Sequence, residues 1–495
     1  MTEMKPITRS IVCAALCAFA RLSVLAQTSQ PLTGPPLFPL NDDAYLRWPL
    51  PPSAQQYGSI DGLRMKPYVR DLAAISAKSR DDGNQWWGRI TGAPSHAEAQ
   101  RWTADRFRQS GLEVRLQEFE LPPAWYPNSW QVSVAAGGKS IALKTAHPVL
   151  RSSGTSANGL ELEPVYVGLG SIAEFVGRDV RGKAVFIYSI PTPSALNHSA
   201  AWSGAIKRAQ EKGATAVFVV LGIPGNFETQ LWGSSGEGQE LEPVPTFSLG
   251  LEDGTAVREL IEQGGSPKIH VKLDVETRRG LKPSAVWGVL PGATGENILI
   301  LAHTDAFFQG EVDNASGVAA MLGLAEYFAK IPKERRRRTI TFLAPVGHHV
   351  TRDVSLQWMH DNMADFWAKT ALIINCEHVA TTQTYPFANE LRKSTAASAH
   401  RFFVGRSKRL GEIMVQSFSM FGVALYSEPN FRPSGDLNPI KDRAPGIEVI
   451  ESNAFYHSNK DENLVPAAGL EAITRAYAKI IDDVNQLDLK DIVDR

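Results

Sequence analysis

The chain has 495 residues, a formal charge of −1, 43% hydrophobic residues and 21% charged residues. This is the balance of a globular protein with substantial cores, and it excludes a disordered chain. A charge so near zero gives no basis for a nucleic-acid partner or for broad electrostatic steering, and the length points to two or three domains.

In chain order, residues 1–26 have the form of a secretory signal. Lys5 and Arg9 precede the apolar run 11–20, and Val24-Leu-Ala26 supplies small residues for cleavage, although Arg21 interrupts the pattern. The run is too short to span a membrane, no later stretch is long enough, and the expected location is secreted or periplasmic. Cys13 and Cys17 would leave with this segment. Cys376 would then be the only cysteine, which rules out an intramolecular disulfide. Residues 27–64 form a proline-rich lead-in, of which 31–52 read as poorly ordered or extended. In 65–129, helices are expected over 68–78 and 96–110, the second capped by Ser95 and stopped by Gly111, followed by a strand over 112–119. Trp86 and Trp87 read as core or domain-contact residues.

Residues 130–282 change character, with many Gly and Ser residues, strands expected over 183–188 and 214–220, and a helix over 205–212. No metal-ligand cluster occurs there, and the segment reads as an inserted β-rich domain. Residues 283–495 alternate strand and helix, which implies an α/β fold with a mostly parallel central sheet covered by helices on both faces. Val318, Met321, Leu322, Ala325, Phe328 and Ala329 share one helical face. The basic run 335–338 reads as a solvated turn between helix and strand.

Six short stretches in this last segment carry metal-ligating side chains. They are His303-Thr-Asp305, Asp313-Asn-Ala-Ser-Gly317, Gly347-His348-His349, Asn375-Cys-Glu377, Ser434-Gly-Asp436 and Tyr456-His457. Three follow apolar runs that read as buried strands, over 298–302, 339–344 and 371–375. In an open α/β sheet, ligands bind beyond the carboxyl ends of the strands, so residues distant in sequence would meet in one crevice. Imidazole and carboxylate suit a divalent cation of the zinc type, and two such ions can share a bridging carboxylate. The candidates are His303, Asp313, His349, Glu377 and His457, with Asp305 placed to orient an imidazole without touching the metal. His360, His378 and His400 match no motif, and solvated or structural roles are the default for them, although His378 could reach the site from beside Glu377.

At these residues the chain resembles the M28 family of metallopeptidases. His303-Thr-Asp305, the segment 313–317, Ile374-Asn-Cys-Glu377, and Tyr456-His457 followed by Asp461 match its ligand motifs in order. Ser434-Gly-Asp436 matches loosely, and Arg89-Ile-Thr-Gly92 and Gly111-Leu-Glu-Val114 match its early segment. Residues 130–282 resemble a protease-associated domain, through 180–186, 213–217 and 244–247. The resemblance implies a phosphorylase/hydrolase-like fold of the zinc-peptidase type and one or two divalent ions, with zinc first among them. It also implies a peptide or small amide substrate cleaved by a metal-bound hydroxide. Tyr456 would donate to an oxyanion. The family's Glu-Glu pair, base then ligand, is replaced here by His348-His349. Alignment puts His348 in the base position and His349 in the ligand position, and imidazole can serve in both. The replacement removes negative charge that two dications would otherwise meet. It therefore opens two alternatives, a different metal-dependent reaction on the same scaffold or a binding protein without catalysis.

Overall fold

A computed structural model describes residues 45–189, 202–234, 240–351, 353–387, 390–426, 432–451 and 453–494. The expected signal, with Cys13 and Cys17, lies outside the described residues. No described helix is long and apolar enough to cross a membrane.

A seven-stranded sheet organises the molecule. From one edge to the other it runs Arg401–Gly405, Gly446–Ile450, Thr370–Cys376, Asn297–Leu301, Thr339–Ala344, Ser284–Leu290 and Glu113–Glu118. The four strands 446–450, 370–376, 297–301 and 339–344 are parallel, 401–405 and 284–290 run antiparallel to them, and 113–118, antiparallel to 284–290, runs in the same direction as the four. The central strands are continuous apolar runs because both of their faces are buried. Ile298, Ile300, Ile340, Phe342, Leu372 and Ile374 point into one core. Helices Gly62–Asp81, Pro94–Gln109, Gly317–Ala329, Lys408–Met420 and Ala467–Asn485 cover that core. Leu299, Leu301, Leu343 and Ile373 point the other way, into a smaller core under Val354–Asn362 and Gly435–Ile440.

Between the strands 113–118 and 284–290, the chain builds two further sheets separate from the central one. Ala124–Ala136, Lys139–Ala142, Leu160–Leu162 and Lys268–Arg278 form an antiparallel sheet. His147–Pro148, Pro164–Tyr166, Ala184–Tyr188, Ala216–Val220 and Thr246–Leu249 form a mostly parallel one. Their inner faces share a core containing Val132, Val271 and Leu273 from the first, and the stacked rings of Phe186, Phe218 and Phe247 from the second. Trp130 lies inside the first strand of this layer. Trp86 and Trp87 are buried against this core beside Phe307 and Phe308.

Two local expectations need correction. The helix expected from 96 begins at Pro94, with Ala93 in the capping position, because proline's fixed φ and missing N–H suit the first turn. Ser95 instead donates its hydroxyl to the Gly88 carbonyl at 2.7 Å. Past the proline-rich stretch 31–52, Pro52–Ser59 forms a tight helical turn, and buried Tyr57 donates to Asp482 at 2.9 Å. The basic run is not a solvated turn. Arg336 and Arg338 are buried, and their guanidiniums donate to the carbonyls of Phe328, Pro291, Val484 and Leu487, while Arg338 also pairs with Glu296. Five fixed donors let arginine satisfy helix-end and loop carbonyls that have no other partner.

Candidate metal centre

Strand order decides which side chains meet. His303 follows the strand 297–301, His348 and His349 follow 339–344, Glu377 directly follows 370–376, and His457 lies in the loop after 446–450. All four parallel strands end on the same side, so these residues converge. Asp313 arrives from the irregular turn Glu311–Ser316 that leads into the helix 317–329.

Asp313 lies at the centre. Its Oδ2 is 3.1 Å from His349 Nε2 and 2.7 Å from His457 Nε2. Its Oδ1 is 3.2 Å from His303 Nε2 and 3.2 Å from His378 Nε2. His303 Nε2 is also 2.9 Å from Glu377 Oε1. One carboxylate thus separates a pocket of two imidazoles from a pocket of imidazole and carboxylate. All five expected ligands are buried, as is His378. Asp313 Oδ1 accepts no hydrogen bond of ordinary geometry. A buried carboxylate oxygen left this way is costly unless a cation takes it, so the donor set fits a divalent ion on either side of Asp313.

The surrounding residues hold this arrangement. Asp305 Oδ1 is 3.3 Å from His303 Nδ1, and its Oδ2 accepts the His349 backbone N–H at 3.1 Å and the Thr91 hydroxyl. It therefore sits between two would-be ligands, as an orienting group must. Buried Arg89 donates to the carbonyls of Thr304 (2.7 Å), Gln309 (2.8 Å) and Gly310 (3.0 Å), tying the loop between His303 and Asp313 to the helix 62–81 through Leu72 and Ser76. Asn375 donates to Glu377 Oε2 at 3.2 Å and to Glu448 at 2.9 Å. Gly435 has a φ of +52°, and a Cβ there would lie 2.8 Å from Glu377 Oε2. The inserted layer reaches the site as well: Gln230 N–H donates to the His457 carbonyl at 2.8 Å, and the Trp232 ring lies 5.8 Å from the His457 ring.

The histidine pair divides. His349 joins Asp313, whereas His348 stacks on His303 with ring centroids 3.7 Å apart and bonds Asp436 Oδ1 through Nδ1 at 2.8 Å. Asp353 stands 3.7 Å from the same nitrogen. Tyr456 is half-buried and stacks on His457 at 3.7 Å. His360 is half-buried beside Asp361, and His400 is buried. His378, left without a role by motif, is in the site.

Titration behaviour follows from burial set against these partners. Burial and His303 push His348 down, but Asp436 and Glu377 outweigh them and bring it up to about 10. Burial opposes charge on His303 too, yet Glu377, Asp305 and Asp313 hold it well above the ordinary range. Burial takes His457 down to about 4 and lowers His349, despite Asp313. Burial raises the carboxylates, but the imidazoles prevail, with Glu377 at about 2 and Asp313 well below its usual value. Behind the site, burial brings Asp461 up to about 7 and Glu448 up to about 8.

The sequence signals for Asp436 and Arg89 were present in the motifs 434–436 and 89–92, the first of them matched only loosely. Asn375 stood in the motif that ends at Glu377, whereas Glu448 and the Gln230 segment carried no signal, because their roles arise only from strand adjacency and from the packing of the inserted layer.

Residues 285–480 match the model of peptidase family M28. Over 352 residues the chain is 22% identical to a probable glutamate carboxypeptidase of Zea mays, covering 58% of this chain and 48% of that protein. Over 257 residues it is 23% identical to the aminopeptidase YwaD of Bacillus subtilis, covering 51% and 50%. The chain spans about half the length of these curated relatives. Among solved structures it resembles a zinc aminopeptidase from Bacillus subtilis (TM-score 0.63, 16% identity, 88% of this chain and 98% of that one). It also resembles a peptidase M28 precursor from Shewanella amazonensis (TM-score 0.64, 15% identity, 88% and 100%). At these identities the structural likeness shows the fold.

Proposed function

We propose that this chain belongs to peptidase family M28, whose model its residues 285–480 match, and that it is a metal-dependent hydrolase of a peptide or related amide bond. The observation that carries the proposal is the Asp313 carboxylate, one oxygen facing His349 and His457 and the other facing His303 and His378. His303, Asp313, His349, Glu377 and His457 would hold two divalent ions, zinc being the metal of the structural relatives named as zinc aminopeptidases. The chemistry such ions supply when bound is polarisation of the scissile carbonyl and acidification of a water molecule.

The protein's own groups do the rest. His348 is the proton acceptor, with Nδ1 fixed on Asp436 so that its ring stays in one orientation against His303. Asp305 orients His303 and His349. Tyr456, stacked on His457, donates its hydroxyl to the developing oxyanion. The inserted layer, which we read as a protease-associated domain over about residues 130–282, holds the His457 loop and narrows access to the site. The first 26 residues direct the chain out of the cytoplasm.

The test is a metal-replete preparation screened against aminoacyl and acyl-dipeptide amides. Chelation should abolish turnover and zinc should restore it. Full metal occupancy without turnover on any peptide refutes peptide hydrolysis and favours another reaction on this scaffold, for which imidazoles at 348 and 349 would be the cause. Absence of both metal and turnover favours a binding protein.

A further inference from the structure

We propose that His378 is a fourth protein ligand of the cation position formed by His303, Asp313 and Glu377. The inference rests on the metal-centre reading above and assigns a residue that no motif supplies.

Four atoms bound tetrahedrally at roughly 2.0–2.1 Å from one ion are separated by about 3.3 Å from each other. Nε2 of His303, Oδ1 of Asp313, Nε2 of His378 and Oε1 of Glu377 form a closed ring with separations of 3.2, 3.2, 3.5 and 2.9 Å. These are the spacings of donors around a single small cation. Asp313 Oδ1, flanked by both imidazoles, accepts no hydrogen bond of ordinary geometry although it is buried, so an electron pair is left directed into the ring.

The backbone is arranged to send His378 there. Its φ is +45°, a region that disfavours a Cβ by about 1–2 kcal/mol per residue. His457, which falls in a ligand motif, has the same kind of backbone at φ +55°. The turn is held from behind: the His378 N–H donates to Asn314 Oδ1 at 3.3 Å, and Asn314 donates to the Cys376 carbonyl at 2.9 Å. The Tyr456 ring lies 5.2 Å from the imidazole on its outer side. The centre then has two carboxylates and four imidazoles. That composition favours borderline metals such as zinc, cobalt and nickel over magnesium, calcium or manganese.

The test reads binding rather than turnover. Zn(II) is titrated into metal-stripped full-length protein, and Co(II) is added in parallel for its visible spectrum. His378→Asn is the variant of choice because asparagine tolerates positive φ. Two zinc ions are expected in the wild type. In the variant one of the two affinities should fall about 100-fold, at or beyond the 10–100-fold that loss of a residue merely supporting a ligand brings. The Co(II) spectrum should change as water replaces nitrogen. Unchanged affinities overturn the proposal, as does an affinity loss with an unchanged Co(II) spectrum, which would make His378 a support rather than a ligand. If the melting temperature shows His378→Asn to be unfolded, His378→Gln is read by the same criteria. A wild type that takes up no zinc overturns both this ligand and the metal centre. A wild type with two ions and no peptide turnover fails only the proposed reaction and leaves the His378 result standing.

Discussion

Replacing Arg89 with methionine tests how the metal-binding loop is held. The guanidinium is buried and donates to the carbonyls of Leu72, Thr304, Gln309 and Gly310 and to the Ser76 hydroxyl. Burial brings its pKa down to about 10, yet Asp313, Asp305, Asp461 and Glu311 keep it charged at neutral pH. Methionine fills comparable volume but leaves those acceptors without donors. Each buried unpaired carbonyl costs about 1–3 kcal/mol. Recovered guanidinium hydration and entering water offset part of the sum. The net loss should be about 3–5 kcal/mol, the usual result of removing one side of a buried charged network. That is a large share of the 5–15 kcal/mol typical of a folded domain. Denaturant unfolding of the metal-free protein, followed by tryptophan fluorescence, measures it, and Arg89→Lys should fall between the two because ammonium keeps the charge without the fork. A shift of less than about 1 kcal/mol for Arg89→Met would show that the loop between His303 and Asp313 is held by other contacts.

Asp313→Ala should remove the group shared by the two pockets and most of the bound metal, and unchanged metal stoichiometry and affinity would disprove the bridging assignment. His348→Ala should lower turnover about 10²–10⁴-fold with metal still bound. Turnover in the wild type should rise with pH as His348 loses its proton, and Asp436→Asn should move that rise to lower pH, since Asp436 is what favours the imidazolium. Metal uptake at neutral pH should release the His303 proton as the ion enters that pocket, because that imidazole is held protonated. The ion at His349 and His457 should release none, because burial holds both imidazoles below their ordinary value. Calorimetry in buffers of different ionisation enthalpy separates the two. Gly435→Ala should weaken metal binding, because the new Cβ lies 2.8 Å from Glu377 Oε2 and the backbone there is left-handed.

The central strands were legible from sequence because strands buried on both faces must be unbroken apolar runs, and 298–302, 339–344 and 371–375 are such runs. The ligand residues were legible because each follows one of those runs or a short motif, and a strand end is a local feature. The resemblance to peptidase family M28 rested on the same local motifs. What local sequence could not carry is adjacency. His378 has no motif, and only the left-handed turn after the strand 370–376 brings it to Asp313. The arginines at 336 and 338 look like a solvated charge run until the fold brings carbonyls to them, those of Phe328 and Pro291 to Arg336 and those of Val484 and Leu487 to Arg338. Gln230 holds the His457 loop from a layer whose core is built far away in the chain. Periodicity and apolar content determine which segments become strands and helices, since those depend on burial of one segment's own faces. Which donors surround one buried carboxylate depends on strand order and on packing between segments distant in the chain, from His303 to His457, and that was decided only when the chain folded.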